Sequence, residues 1–281
     1  MADATGSCVP SLGESELNTN NVRARIVNTG GLFFRGNPSV YTVPKKSGAN
    51  AIFSASLWIG GLQKNNLRAS ASRYGPWELW AGPLDDSGNP PADCSLYDRL
   101  FRVSREDIQL YVDRGIISDD LRDWPTGLGA PTLDASGERI DLDHLPLSLR
   151  MDRVIDLKSG ERPVMYGSQA VWWIMNDRGN KHESSRSLPI GIEVHAFAFA
   201  ARSGIVDINN STHYQYRLFN RSSAAITDLY VGLFVDSDLG NAGDDYIGSD
   251  STLGLGYTYN ADNEDEGSFG YGTPPPALGV L

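Results

Sequence analysis

Over most of its length the chain alternates apolar and polar positions with a period of two, and turn-forming residues interrupt the alternation at short intervals. In GIEVHAFAFA, residues 191–200, Ile192, Val194, Ala196 and Ala198 fall on one face and Glu193, His195, Phe197 and Phe199 on the other. HYQYRLFN, residues 213–220, sets His213, Gln215 and Arg217 against Tyr214, Tyr216 and Leu218. DLYVGLFVD then aligns Leu229, Val231, Leu233 and Val235. The amino-terminal half repeats the pattern in NNVRARIVNTGG, SVYTVP, AIFSASLWIGGL and LRASASRYG, with Asn, Gly and Pro between the runs. Short alternating runs bounded by turn residues predict an all-β protein, an antiparallel, jelly-roll-like β-sandwich.

One stretch breaks the period. Ser104, Arg105, Glu106 and Asp107 have the form of a capping box, Ile108, Tyr111 and Val112 follow at helical spacing, and Gly115 ends the pattern. A second short helix is expected from Ser118, stopping before Trp124-Pro125, because the residue before proline is pushed out of the α region. Residues 125–158 are turn-rich. The chain thus reads as a flexible arm at 1–20 and a single sandwich domain at 21–281, with an insertion at about 98–160. The closing ALGVL resembles a strand completed by something else, and so a point of attachment or assembly.

Composition narrows the function classes. With 281 residues, 40% of them apolar, a sizeable core is within reach. Thirty-five acidic against 24 basic residues give a net charge of -11, the wrong sign for a surface that neutralises phosphates, so no nucleic-acid partner is expected. No apolar run approaches the roughly 20 residues of a transmembrane helix, and residues 1–20 are polar without a signal-like core. The two cysteines, Cys8 and Cys94, lack the spacing of zinc or redox motifs. They either form one bridge, tying the arm to the body, or remain two thiols, according to compartment.

The densest chemistry lies at 228–272. Asp236, Asp238, Asp244, Asp245 and Asp250 crowd carboxylates around Gly240 in a glycine-rich stretch, which is the oxygen chemistry a hard cation needs. Structural Ca²⁺, held by these carboxylates and by backbone carbonyls near Gly240, would relieve their repulsion; the alternative is a solvated acidic loop. Asp262, Glu264, Asp265 and Glu266 read as a flexible, solvated loop. Glu193 and His195 share a strand face and His213 follows on the next strand, but no nucleophile motif accompanies them, so no enzyme is expected. Among six tryptophans, Trp58, Trp172 and Trp173 sit in apolar strands and read as core. Trp77, Trp80 and Trp124 are the candidates to face a glycan ligand.

Several phrases in order carry a resemblance: NNVRARIVNTGGLFF, AIFSASLWIGGL, DCSLYDRLFRVSREDI, QAVWWIMNDRGNKHE, LPIGIEVHAFAFA and VDSDLGNAGDDYIGSDSTLGLGYTYNADN. Together they resemble the amino-terminal β-rich module of large secreted proteins that carry a type IX secretion sorting tail, from Bacteroidota-like bacteria. The resemblance spans about residues 20–280. It implies a secreted or cell-surface module of structural or adhesive role, assembling with itself or with a larger surface protein. Two departures stand out. Such modules often carry a second acidic loop before the QAVWW-like strand, where this chain has only Asp152 and Asp156, and often a cysteine where Ser249 stands. The rival expectation is a carbohydrate-binding module of an extracellular polysaccharide-processing protein.

Overall fold

The computed structural model describes residues 6–281. Its strands in chain order are β1 (Glu14–Leu17), β2 (Arg23–Val27), β3 (Gly31–Leu32), β4 (Tyr41–Thr42), β5 (Ser54–Gln63), β6 (Asn66–Ser70), β7 (Trp80–Ala81) and β8 (Phe101–Ser104). Then come β9 (Thr132–Leu133), β10 (Arg162–Pro163), β11 (Gln169–Asn176), β12 (Ile192–Ala200), β13 (His213–Asn220) and β14 (Thr227–Asp236). Last are β15 (Asp245–Asp250), β16 (Leu255–Asn260) and β17 (Ala277–Val280). Four short helices interrupt them: α1 (Arg105–Arg114), α2 (Asp119–Arg122), α3 (Leu147–Arg150) and α4 (Val206–Asn209). The protein is all-β.

Two large antiparallel sheets make the sandwich. The first runs β1-β2-β3-β5-β14, with β4 beside β2 and β6 beside β5; the second runs β13-β12-β11-β7, with β8 beside β11. β15, β16 and β17 form a small third sheet, and β9 pairs with β10. Between the large sheets the inward residues of β2 and β5 (Ala24, Ile26, Ala55, Leu57, Ile59) meet those of β11 and β12 (Val171, Trp173, Met175, Val194, Ala196, Ala198) in one apolar core.

The central strands of the second sheet, β11 and β12, are buried on both faces, and every residue of β11 is inside. The alternate residues Ala170, Trp172, Ile174 and Phe197 pack against Leu121, Trp124, Leu128 and Ile155 of the insertion, which forms a second core on the sheet's outer side. This explains why β11 and β12 are apolar at nearly every position, as strands covered on both sides must be. It also corrects Trp124: the ring is fully buried in the second core and presents no face to a glycan. The helices are set by their caps. Ser104 Oγ accepts from Asp107 N (3.0 Å), Asp107 Oδ2 accepts from Ser104 N (2.8 Å), and Gly115 closes α1 at φ 67°. Ser118 caps α2 by one bond, its Oγ accepting from Leu121 N (3.4 Å).

The amino-terminal arm is not loose where it is described. β1 zips onto β2 from Glu14↔Val27 to Leu17↔Ala24, Leu17 is fully buried, and Asp98 accepts from Leu12 N and Gly13 N. Cys8 and Cys94, 86 residues apart, are joined by a disulfide against Trp80. Only residues 1–5 of the expected arm lie outside the described part. At the other end, ALGV forms β17, which pairs with β16, and Leu278 packs against the main core.

Candidate functional site

Three places carry the chemistry singled out in the sequence: the acidic segment after β14, the Glu193–His195 pair, and the aromatic side chains. A fourth, the open side of the sandwich, comes into view only in three dimensions.

The acidic segment is more ordered than a loop. Residues 245–250 form β15 and pair with β16, from Asp245↔Asn260 to Asp250↔Leu255. Five residues of extended strand carry Asp250 about 16 Å from Asp245. There Asp250 caps its own turn, its Oδ1 accepting from Thr252 N (2.8 Å), Thr252 Oγ1 (2.6 Å) and Leu253 N (3.3 Å). Asp236 accepts from the Tyr74 hydroxyl at 2.9 Å. Gly240 takes φ 73°, and a Cβ there would lie 2.0 Å from Asp265 Oδ2, so glycine is required by conformation and by space.

Asp238 and Asp244 lie near Asp245, and with them Asp265, which is not in a solvated loop. Asp265 is only 1% exposed, and its carboxylate accepts from Asn241 N (3.0 Å) and Tyr271 N (2.7 Å). Asp262, Glu264 and Glu266 are exposed, as expected. The Asp265–Gly272 bridge, with both backbone N–H groups donating across it, closes a turn that places this carboxylate to cap backbone amides. Burial pushes the Asp245 carboxyl above its ordinary range, and Asp244, Asp265 and Asp238 push the same way. Burial also raises Asp238, with Asp236 adding to it, and contact with Asp244 raises Glu266. The Oδ1 atoms of Asp244 and Asp245 are buried without a hydrogen-bond partner. Among the described residues no three His, Cys, Asp or Glu side chains converge as a metal cage. The five aspartates expected as one ligand set are thus not gathered at one point, with Asp236 bonded to Tyr74 and Asp250 capping its own turn.

Glu193 and His195 do meet, inside the protein. Glu193 Oε1 accepts from His195 Nε2 at 2.9 Å and from Arg221 Nη2 at 2.8 Å, and Oε2 accepts from Leu84 N at 2.7 Å. Burial alone would raise this carboxyl, but the bonds and charges of His195 and Arg221 hold it at about 2. His195 is 3% exposed, and its Nδ1 faces Gly129 so closely that a Cβ there would lie 2.6 Å away. Nδ1 itself is buried without a hydrogen-bond partner. His213 is elsewhere, exposed on β13 and stacked on Phe199 at 4.9 Å.

Trp58, Trp80 and Trp124 are placed opposite to expectation. Trp80 is buried beside the disulfide, and half-buried Trp77 lies over Gly31, where a Cβ would strike its ring at 2.2 Å. Trp172 and Trp173 are core, as read. Trp58, expected inside, is 37% exposed on the outer face of the first sheet, stacked on Phe234 at 5.4 Å with ring planes 5° apart. Its indole N–H donates to Ser72 O (2.9 Å), so an exposed ring is held in a fixed orientation. Tyr74 packs edge-on to Phe234 at 5.9 Å.

Between β13 and β14 the sandwich is open. Among the described residues β13 pairs only with β12, and β14 only with β5, so each ends its sheet on the same side of the molecule. A cavity of about 770 Å³ lies between them, floored by Leu32, Ile52 and Leu57 of the main core and walled by Tyr216 and Leu233. β14 keeps its apolar alternation yet is exposed through residues 227–233, with Tyr230 at 78%.

Comparison with protein-family models, with curated proteins and with solved structures gives no match to this chain.

Proposed function

We propose that this chain is a secreted, surface-associated structural module of adhesive type, attached to a larger assembly through the open side of its sandwich, and that it does not act as an enzyme. The observation that carries the reading is the bare outer edges of β13 and β14 flanking an apolar cavity. Edge strands are ordinarily blunted by charge, proline or cover, because bare ones pair with other chains. β14 has neither Lys, Arg nor Pro anywhere in residues 227–236. The polar group that most resembles a catalytic pair, Glu193 with His195, is packed shut and serves to neutralise a buried charge.

Extracellular residence is supported by the buried Cys8–Cys94 disulfide and by the co-linear resemblance to secreted modules. No helix of the described residues is long and apolar enough to cross a membrane. A structural Ca²⁺ belongs to the same reading: Asp244 and Asp245 would hold it, with Asp238 alongside, and it would supply the positive charge that these crowded carboxylates lack. The test of the main reading is retention at the cell surface. In the source cells, replacing Leu229, Val231 and Leu233 by glutamate should release a protein of unchanged melting temperature into the medium. Full retention would rule out the open edge as the attachment point.

A second reading rests on one observation, the rigidly held Trp58–Phe234 stack beside Tyr74 on the outer face. An exposed, fixed aromatic face suits the apolar face of a sugar ring. Here a glycan array probed with the protein and with Trp58→Ala decides: a hit lost in the variant supports glycan binding, and no hit removes it.

A further inference from the structure

The proposal above leaves open what occupies the cleft between β13 and β14, and three features together define its chemistry. The cavity lining contains no Asp, Glu, Lys or Arg, in a chain of which 21% is charged. The inward side chains of β14, Val231, Leu233 and Val235, recur at every second residue, so the cleft offers apolar positions at strand spacing. The ends of that strand are acidic, with Asp228 at one and Asp236 and Asp238 at the other.

We infer that the cleft takes an extended strand from another polypeptide, aliphatic at alternate positions and basic at its ends, which pairs with β14 and fills the gap to β13. This rests on the open-edge reading and specifies its partner. Strand addition explains why the exposed edge and the cavity occur together: backbone pairing satisfies the N–H and C=O groups of β14, while alternate side chains enter the space above Leu32 and Leu57. Charge selects the partner. A second copy pairing β14 to β14 about Gly232 would set Asp228 opposite the other copy's Asp236 at both ends of the joint, between two chains each carrying a net charge of -11. A basic-ended strand instead meets opposite charge at both ends. Register is fixed at the amino-terminal side, where the β14–β5 ladder slips between Thr227 and Tyr230 and Asp228 adopts φ 48°.

The experiment uses the whole chain and fluorescent peptides of about eight residues, the length of an ordinary strand. The probe alternates valine with threonine and carries a lysine pair at each end; its controls have glutamate ends, serine in place of valine, or N-methyl groups on the pairing edge. Anisotropy should show saturable binding of the lysine-ended peptide, weaker by about tenfold or more in the doubly substituted protein Val231→Glu, Leu233→Glu, a loss typical of a central apolar contact. The glutamate-ended peptide should bind more weakly at low salt, and the difference should narrow as salt rises. Circular dichroism melts of the variant establish that it is folded, and Val231→Thr with Leu233→Thr serves as a milder pair in case it is not. Equal binding of the N-methylated peptide would overturn backbone pairing, and no saturable binding would overturn the inferred occupant. A concentration-dependent dimer by light scattering, abolished by the same substitutions, would replace the separate partner by a second copy. If the peptides fail while surface retention still depends on Leu229, Val231 and Leu233, the occupant is wrong and the attachment reading survives; if both fail, so does the attachment reading.

Discussion

At the residue scale, buried carboxylates are settled by what they accept from. Glu193 is held at about 2 by His195 and Arg221 despite burial. Its folded value lies below the unfolded one, so its contribution is complete above about pH 4.5 and is lost as pH falls toward 2. Glu193→Gln leaves His195 and Arg221 without their counter-charge, and urea denaturation at neutral pH should show a loss of about 3 kcal/mol, as for one partner removed from a buried pair. The same variant should flatten the acid limb of the stability profile. Asp238 and Asp245 have the opposite sign. Their folded values are raised, so the folded state binds more protons than the unfolded one above the ordinary range, and stability falls as pH rises through it. In chelator, mild acidification should therefore raise the melting temperature, and saturating Ca²⁺ should abolish that rise. Identical melting curves with calcium and with chelator would remove the cation from the account. Gly240→Ala, which must place a methyl on Asp265 at positive φ, should cost about 1–3 kcal/mol in the same denaturation assay.

At the scale of elements, most of what is local was legible in the sequence. α1 occupies the stretch its capping box marks, α2 starts at Ser118, and β12, β13 and β14 fall on the alternating runs. Ser104→Ala should cost about 1 kcal/mol, the ordinary worth of an N-cap, measured as a shift in the denaturation midpoint. What escaped the sequence depended on which face of a strand another element covers. Periodicity separates the two faces of β12 but cannot say that the insertion covers the Glu193–His195 face, because that contact is made by Trp124 and Leu121, some 70 residues away in sequence. The same blindness misplaced Trp58, whose neighbours Leu57 and Ile59 face the core while its own ring faces outward. β15 was hidden because Asp245, Gly248 and Asp250 are poor strand formers, paired here by the β16 ladder rather than by propensity. Asp265 was lost for a related reason, since a run of four acids reads as solvated until a backbone turn is seen to close around one of them.

At the scale of the whole molecule, the sandwich is braced on three sides and open on the fourth. The insertion backs the second sheet, the disulfide and β1 tie down the amino-terminal end, and the small third sheet is bonded to the segment after β14 through Ser237 and Thr258. Reduction of Cys8–Cys94, which closes a loop of 86 residues, should lower stability by about 4 kcal/mol on the chain-entropy view, and Cys8→Ser with Cys94→Ser should match the reduced protein in denaturant titration. Along β13 and β14 the carboxyl-terminal residues Leu278–Leu281 reach the cleft, but among the described residues the outer edges of both strands stay bare there. The sequence carries half of this: the alternation of β14 is plain, but only the pairing of both neighbours elsewhere reveals that its edge is bare. The most direct measurement is residue-resolved amide hydrogen exchange along β14, with and without the lysine-ended strand peptide. Strand addition predicts that alternate amides of residues 227–236, those pointing away from β5, exchange rapidly in the free protein and become protected when the peptide binds. Unchanged exchange at saturating peptide, or protection confined to residues outside β13 and β14, would contradict it.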